Sequence, residues 1–180
     1  MFREIVQVLK RWRVNIISLP IAFNITANGF LNKDFQAELA NELDQYSWLA
    51  KMLKIELTET SRIDNIEKMH SVMVKYNKCG LSFSLDDYGT KHASLEYLKK
   101  LPFNELKIDQ TFMINAAIDE DSKAIVQHAK EIADQLNLST IAEGIESEAV
   151  LEIAKECGIK NGQGFYFSPA VSEKKVLAIN

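Results

Sequence analysis

The stretch Leu81-Ser-Phe-Ser-Leu-Asp-Asp87 predicts a β-strand over residues 81–85 that ends in two adjacent aspartates. A helix is predicted just before it, stopped by Gly80, with four apolar residues on one face: Ile66, Met69, Met73 and Tyr76. The preceding strand is predicted at residues 53–57, where apolar and polar residues alternate around Glu56. This order of strand, helix and strand is the unit from which the fold is built.

The same alternation of helix and strand continues along the chain. It favours a parallel sheet with helical crossovers, either an open doubly wound sheet or a TIM-like β/α barrel. A complete eight-stranded barrel takes about 250 residues, so we expect one domain over residues 1–180 that is truncated before the first barrel strands. The further helices are predicted at residues 2–12, 34–43, 93–100, 121–136 and around 150–154, and the further strands at 20–25, 106–108, 139–142 and 162–167.

Composition restricts the classes of function. The formal net charge is -4, with 21 basic and 25 acidic residues, and duplex binding needs clustered basic side chains. No apolar run approaches the roughly 20 residues that span a bilayer. Two distant cysteines, Cys79 and Cys157, do not make a disulfide framework. We therefore expect a cytoplasmic protein that neither binds DNA nor inserts into a membrane.

Polar residues stand at or just beyond the C-terminal ends of successive predicted strands. In a parallel β/α fold these ends meet on one face, where active sites form. A single acid at such a position is more often a helix cap or a turn former. Five strands in succession are harder to explain in that way: they carry Asn24, Glu56, Asp86 with Asp87, Lys107 with Asp109, and Glu143.

These residue types favour a hard metal ion. Amide and carboxylate oxygens without paired His or Cys prefer Mg²⁺ or Mn²⁺ to zinc. Adjacent Asp86 and Asp87 can bind one or two ions. Two ions can stabilise the attacking and leaving oxygens of an in-line displacement at phosphorus. Lys107 then supplies charge for the phosphate or orients the attacking water, and Glu143 is the candidate base. The alternative for Lys107 is a structural salt bridge.

Six motifs, in order and at matching spacing over nearly the whole chain, resemble the EAL-domain family of bacterial cyclic di-GMP phosphodiesterases. Six motifs in register are far more specific than one signature. The motifs are Phe23-Asn-Ile-Thr26, Ile55-Glu-Leu-Thr-Glu59, Leu85-Asp-Asp-Tyr-Gly-Thr90, Leu106-Lys-Ile-Asp109, Ala142-Glu-Gly-Ile-Glu146 and Gly162-Gln-Gly-Phe165.

The resemblance implies a modified β/α barrel that opens cyclic di-GMP to linear pGpG with Mg²⁺ or Mn²⁺. By position, it implies that Asn24, Glu56 and Asp86 are metal ligands and that Asp87 serves a second metal. It also implies that Lys107 and Glu143 act together on the nucleophilic water. Four further positions match residues that line the site or brace a loop, although a plain structural role is the alternative for the first three: Glu59, Asp109, Glu146 and Gln163.

Two departures from the family pattern keep other functions open. The Glu-Ala-Leu strand that names the family does not occur in the sequence, so we expect a missing ligand and an open barrel edge. A homodimer or another partner is expected to cover that edge. Lys91 stands where the family usually has glycine. Besides an enzyme, the sequence therefore permits a cyclic di-GMP receptor without turnover or a protein-interaction module.

Overall fold

The computed structural model describes residues 1–58, 63–89 and 94–179. Helices and strands alternate through these residues, as the sequence pattern predicts. The strands are β1 Ile21–Asn24, β2 Leu53–Thr58, β3 Ser82–Tyr88, β4 Glu105–Ile108, β5 Ser139–Ala142 and β6 Asn161–Gly162. The helices are α1 Phe2–Val14, α2 Ala27–Phe30, α3 Lys33–Gln45, α4 Ile66–Lys78, α5 Ser94–Lys100, α6 Gln110–Asn115, α7 Glu120–Gln135, α8 Glu148–Glu156 and α9 Glu173–Ile179, with a 3₁₀ turn at Ser47–Met52.

The six strands form one parallel sheet in the sequential order β1-β2-β3-β4-β5-β6. A doubly wound sheet reverses its strand order at a switch point, and this sheet does not. The order is that of a β/α barrel, of which six strands are described. The predicted TIM-like fold class is therefore confirmed, and the doubly wound alternative is excluded.

The two faces of the sheet differ in chemistry because side chains alternate along each strand. On β2, Leu53, Ile55 and Leu57 are buried in the main hydrophobic core, while Lys54 and Glu56 point to the other face. Phe83 of β3 contacts the ring of Phe30, with centroids 5.3 Å apart. The apolar face thus binds the helices, and the opposite face is left for polar side chains.

The last helix packs against the first. Arg11 of α1 forms a two-pronged ion pair with Glu173 of α9, with a shortest N to O distance of 2.7 Å. Val176 and Leu177 of α9 pack against the same core that contains residues of α1. The helix that follows β6 therefore lies beside the helix that precedes β1.

Local signals explain most element boundaries. The Asn65 side chain accepts a hydrogen bond from the Lys68 amide at 2.8 Å and begins α4, and Gly80 ends the turn after that helix with φ of +98°. Asp34 was predicted to precede the second long helix, but this helix, α3, begins at Lys33. Asn32 provides the cap, because its side chain accepts from the amides of Asp34 and Phe35.

Long-range contacts explain the larger differences from the sequence prediction. The strand predicted at 162–167 ends at Gly162, because the chain turns back and the Tyr166 amide donates to the carbonyl of Ile145. For the helix predicted at 121–136, the sequence pattern predicts an inward face of Ile125, Ala129, Ile132 and Leu136. Ala129 is buried and Ile132 is partly buried, as predicted, whereas Ile125 and Leu136 are exposed and Val126 and Ala133 are buried. Helices α2, α6 and α9 were not predicted. None of the helices in the described ranges has the length and apolar character of a membrane span.

Phe83→Ala should lower the free energy of unfolding by about 3–5 kcal/mol, because the ring is fully buried and its removal leaves a cavity. Urea denaturation followed by circular dichroism measures this change. Ile118→Ala is the matched control, since Ile118 is 86% exposed and its loss should change stability by less than about 0.5 kcal/mol. Equal effects of the two substitutions would contradict the assignment of Phe83 to the core.

Candidate active site

A polar cleft of about 510 Å³ lies over the sheet and collects most of the residues predicted from strand ends. It extends from β1 to the segment after β6, so it spans the whole width of the described sheet. Eight predicted residues line it: Asn24, Glu56, Asp86, Asp87, Lys107, Asp109, Glu143 and Gln163. Three unpredicted residues complete the lining: Ala22, Gln110 and Gly144.

Lys107 is the centre of the charge network. Its Nζ lies 2.7 Å from Glu143 Oε1, 2.8 Å from Asp86 Oδ1 and 3.2 Å from Glu56 Oε1. Burial alone would lower the pKa of this ammonium, which is only 3% exposed. The hydrogen bonds to Asp86 and Glu143 outweigh that penalty and raise the pKa above its ordinary value. Lys107 therefore stays charged and holds three carboxylates together.

Two of these carboxyls are shifted toward the protonated form. Burial raises the pKa of Glu56, and it also raises the pKa of Glu143. The ammonium of Lys107 opposes the shift in both, while the charge of Asp86 adds to it. A carboxylate whose pKa lies above the usual range is a better proton acceptor than an exposed glutamate. Glu143 therefore has the electrostatic surroundings of a general base.

A β-bulge lets two neighbouring aspartates face the same cleft. In a regular strand, Asp86 and Asp87 would point to opposite faces. Leu85 pairs with Leu106 and Tyr88 pairs with Ile108, so β3 has one more residue than β4 between these pairs. Asp87 occupies this irregular segment with φ of +59°. The extra residue brings both carboxylates to the lining of the cleft.

The oxygen atoms fit a hard divalent cation. Asp86, Asp87 and Glu143 each offer one carboxylate oxygen, and these three atoms lie within 4.8 Å of one another. Oxygen-only donors with several negative charges suit Mg²⁺ or Mn²⁺. Asn24 and Glu56 line the same cleft, and the two residues are paired neighbours on β1 and β2. Their role as metal ligands stays a prediction.

Gln163 holds the proposed base in place. Its Nε2 donates to Glu143 Oε1 at 2.5 Å, and its backbone pairs with the carbonyl of Ala142 and the amide of Ile145. The next residue must be glycine, because a Cβ on Gly164 would lie 2.1 Å from the carbonyl oxygen of Ile145. Close backbone packing thus fixes the side chain that supports Glu143.

Asp109 has a structural role in addition to lining the cleft. Asp109 caps α6, since its side chain accepts from the amide of Thr111 at 2.8 Å, and this is the structural role that was left open for it. Glu146 lies in a neighbouring cleft that shares Gln163 and Gly144. Glu59 and Lys91 lie outside the described residues, and their roles stay predictions.

The sequence prediction missed Gln110 and Gly144, which meet beside the site. A Cβ on Gly144 would lie 2.4 Å from the Cβ of Gln110, and Gly144 has φ of +64°. Gln110 is the first residue of α6, a short helix that was not predicted. The Asp109 cap was the local signal that could have revealed this helix.

Comparison with known proteins agrees with the fold. The family model for the EAL domain matches residues 1–170. The chain is 34% identical over 157 residues to the signaling protein YkoW of Bacillus subtilis, covering 87% of this chain and 20% of that protein. It is 32% identical over 172 residues to the cyclic di-GMP phosphodiesterase PdeR of Escherichia coli, covering 94% of this chain and 26% of that protein.

A solved structure extends this likeness to three dimensions. The PaMucR phosphodiesterase, determined as a cyclic di-GMP complex, superimposes with a TM-score of 0.86 at 30% identity, covering 96% of this chain and 70% of that one. The parallel sheet is thus that of a domain class built on the β/α barrel. The chain belongs to the EAL domain family, and it spans about a fifth to a quarter of the length of the two curated relatives.

Lys107→Met should destabilise the fold by about 3–5 kcal/mol near neutral pH, because it leaves buried carboxylates without their cation. Lys107 lowers the pKa of Glu56 and Glu143, so its loss raises both further. The folded state then retains protons that the unfolded chain has released, and stability falls as pH rises above the usual glutamate range.

Urea denaturation at pH 5 and at pH 8 measures this dependence, and the variant should lose more stability at pH 8. Lys100→Met is the control, because Lys100 pairs with exposed Glu96 and its loss should cost less than about 1 kcal/mol at either pH. A variant equally stable at both pH values would contradict the described network.

Proposed function

We propose that this chain hydrolyses the second messenger cyclic di-GMP to linear pGpG in a metal-dependent reaction. Membership of the EAL family supports the proposal, as do the activity for which PdeR is named and the cyclic di-GMP in the PaMucR complex. The chain spans only a fifth to a quarter of the length of YkoW and PdeR. The activity of those whole proteins is therefore transferred to this chain only as a proposal.

One observation carries the proposal: Lys107 binds Glu56, Asp86 and Glu143 in a cleft where Asp87 adds a further carboxylate. A structural salt bridge needs one acid for one base. Among the described residues that line the cleft, carboxyl groups outnumber lysines, and such an excess suits a divalent cation and its phosphate ligand. A binding module without turnover does not require a base with the surroundings of Glu143.

In the proposed reaction, a water molecule attacks one phosphorus of the cyclic dinucleotide. Glu143 accepts a proton from that water, and Gln163 keeps the carboxylate oriented. Lys107 holds Glu143 and stabilises negative charge on the phosphate. The new P–O bond forms as the bond from phosphorus to the 3′ oxygen breaks. The 3′ oxygen takes up a proton, and the product is linear pGpG with a 5′ phosphate.

The metal requirement follows from the donor set. When bound, Mg²⁺ or Mn²⁺ would polarise the phosphate oxygens and make the attacking water more acidic. We propose Asp86 and Asp87 as ligands, with Asn24 and Glu56 contributing as the family resemblance implies. One ion or two, and the choice between Mg²⁺ and Mn²⁺, are left to measurement.

The other predictions from the sequence concern the domain, its location and its partners, and they are proposals here. We propose that residues 1–180 act as a single EAL-type domain, located in the cytoplasm. A homodimer or another partner at the sheet edge stays a prediction. The alternative of a catalytically impaired binding or interaction module is not favoured, because the relative PdeR is named a phosphodiesterase.

Glu143→Gln should reduce the formation of pGpG from cyclic di-GMP by about 10²–10⁴-fold in the presence of Mn²⁺, because the amide cannot accept the proton. Binding of cyclic di-GMP should be largely retained, since the side chain keeps its size. Chromatography of the nucleotide products measures turnover, and isothermal titration calorimetry measures binding.

Glu131→Gln is the control, since it makes the same change on the exposed surface of α7 and should leave turnover as it is. Turnover by Glu143→Gln at the rate of the unsubstituted protein would refute the role of Glu143. Binding without any product from the unsubstituted protein would favour the receptor function instead.

A further inference from the structure

A second ion pair lies beneath the candidate active site on the same face of the sheet. Lys54 Nζ binds Glu105 Oε2 at 2.6 Å, and the hydroxyl of Ser139 donates to the same oxygen at 3.3 Å. Glu105 is buried, with only 5% of its surface exposed. This pair, which we call the lower ion pair, has no place in the reaction described above.

The lower ion pair is one step below the catalytic network on the same two strands. Lys54 precedes Glu56 by two residues on β2, and Glu105 precedes Lys107 by two residues on β4. Residues two apart on a strand face the same side, about 6.6 Å from each other. Each strand therefore carries one partner of the lower pair and one member of the catalytic network.

Small residues on the strand between them make both contacts possible. Strand β3 separates β2 from β4, so a side chain must reach across about 10 Å to join them. On β3, Ser82 is the register partner of Lys54, and Ser84 is the register partner of Glu105. A larger side chain there would separate Lys54 from Glu105.

The arrangement gives Lys107 a competing partner. Glu105 is a buried carboxylate two residues before Lys107 on the same face of β4, and its Oε1 has no hydrogen-bond partner among the described residues. A buried charge without a counter-charge attracts any cation that can reach it. Lys54 supplies that counter-charge, so Lys107 can remain with Glu56, Asp86 and Glu143.

We propose that Lys54 is a positioning residue: by neutralising Glu105, it keeps the ammonium of Lys107 on the catalytic carboxylates. This inference rests on the proposed function for its kinetic consequence, but not for its structural one. It predicts an asymmetry. Loss of Lys54 displaces Lys107, whereas loss of the Glu105 charge removes only the competitor.

A crystal structure of Lys54→Met tests the proposal directly. We expect the Nζ of Lys107 to move within hydrogen-bond distance of Glu105 and away from Glu143. In Lys54→Met/Glu105→Gln the competing charge is gone, so Lys107 should return to Glu143. Lys107 unmoved in Lys54→Met would overturn the proposal. If Lys54→Met fails to fold, Lys54→Gln, which keeps a hydrogen bond to Glu105 without the charge, is taken through the same comparison.

Kinetics provide a second readout. Lys54→Met should lower kcat for cyclic di-GMP at least about tenfold with little change in KM, because the group that acts on the water is misplaced. The double variant should recover most of that loss, and Glu105→Gln alone should have a smaller effect than Lys54→Met. A double variant as impaired as Lys54→Met would contradict the proposal.

Lys155→Met is the control, because it removes an exposed ion pair with Glu152 and neither residue lines the cleft. If the unsubstituted protein does not cut cyclic di-GMP, the proposed function fails, and the position of Lys107 in the crystal structures still decides this inference.

Discussion

The ammonium of Lys107 binds carboxylates that come from three different parts of the sheet: Glu56 on β2, Asp86 on β3 and Glu143 just after β5. Taking these charges out of water is costly, and their mutual attraction offsets the cost only when the geometry is good. The strands must therefore keep their register, since a shift by one residue would turn every one of these side chains to the helical face. The polar cleft therefore depends on this strand register.

The rest of the fold meets this requirement because one face of the sheet packs against the helices while the other carries the polar side chains. Leu53, Ile55 and Leu57 anchor β2 in the helical layer, and Phe83 anchors β3 in the same way. The face that carries chemistry is thus held by packing on the opposite face. Close backbone contacts complete the arrangement, because Gly164 fits against Ile145 and presents Gln163 to Glu143. Stability and chemistry are supplied by alternate residues of the same strands.

The sequence was sufficient for the fold class and for most of the cleft lining. Alternation at 53–57 and the helical pattern before Gly80 are local signals, and strand ends of a parallel sheet meet by geometry alone. Local patterns could not show that Asp86 and Asp87 share one face, because the bulge that allows it is a property of the pairing of β3 with β4.

Other errors have the same origin in contacts between distant residues. The strand predicted to Phe167 stops at Gly162 because the chain turns onto Ile145, which lies 17 positions earlier in the sequence. The network itself was predicted only in part. Lys107 and Glu143 were paired through the family resemblance, while the lower ion pair of Lys54 and Glu105 had no sequence signal, because neither residue ends a strand.

The central claim is that the bulge in β3 and the charge network around Lys107 build a site for a divalent cation. Anomalous diffraction from crystals soaked in Mn²⁺ measures this most directly. The account predicts a manganese peak in contact with carboxylate oxygens of Asp86 and Asp87, and its loss in Asp87→Asn crystals soaked in the same way. A cleft without manganese, or a peak that persists unchanged in Asp87→Asn, would contradict the account.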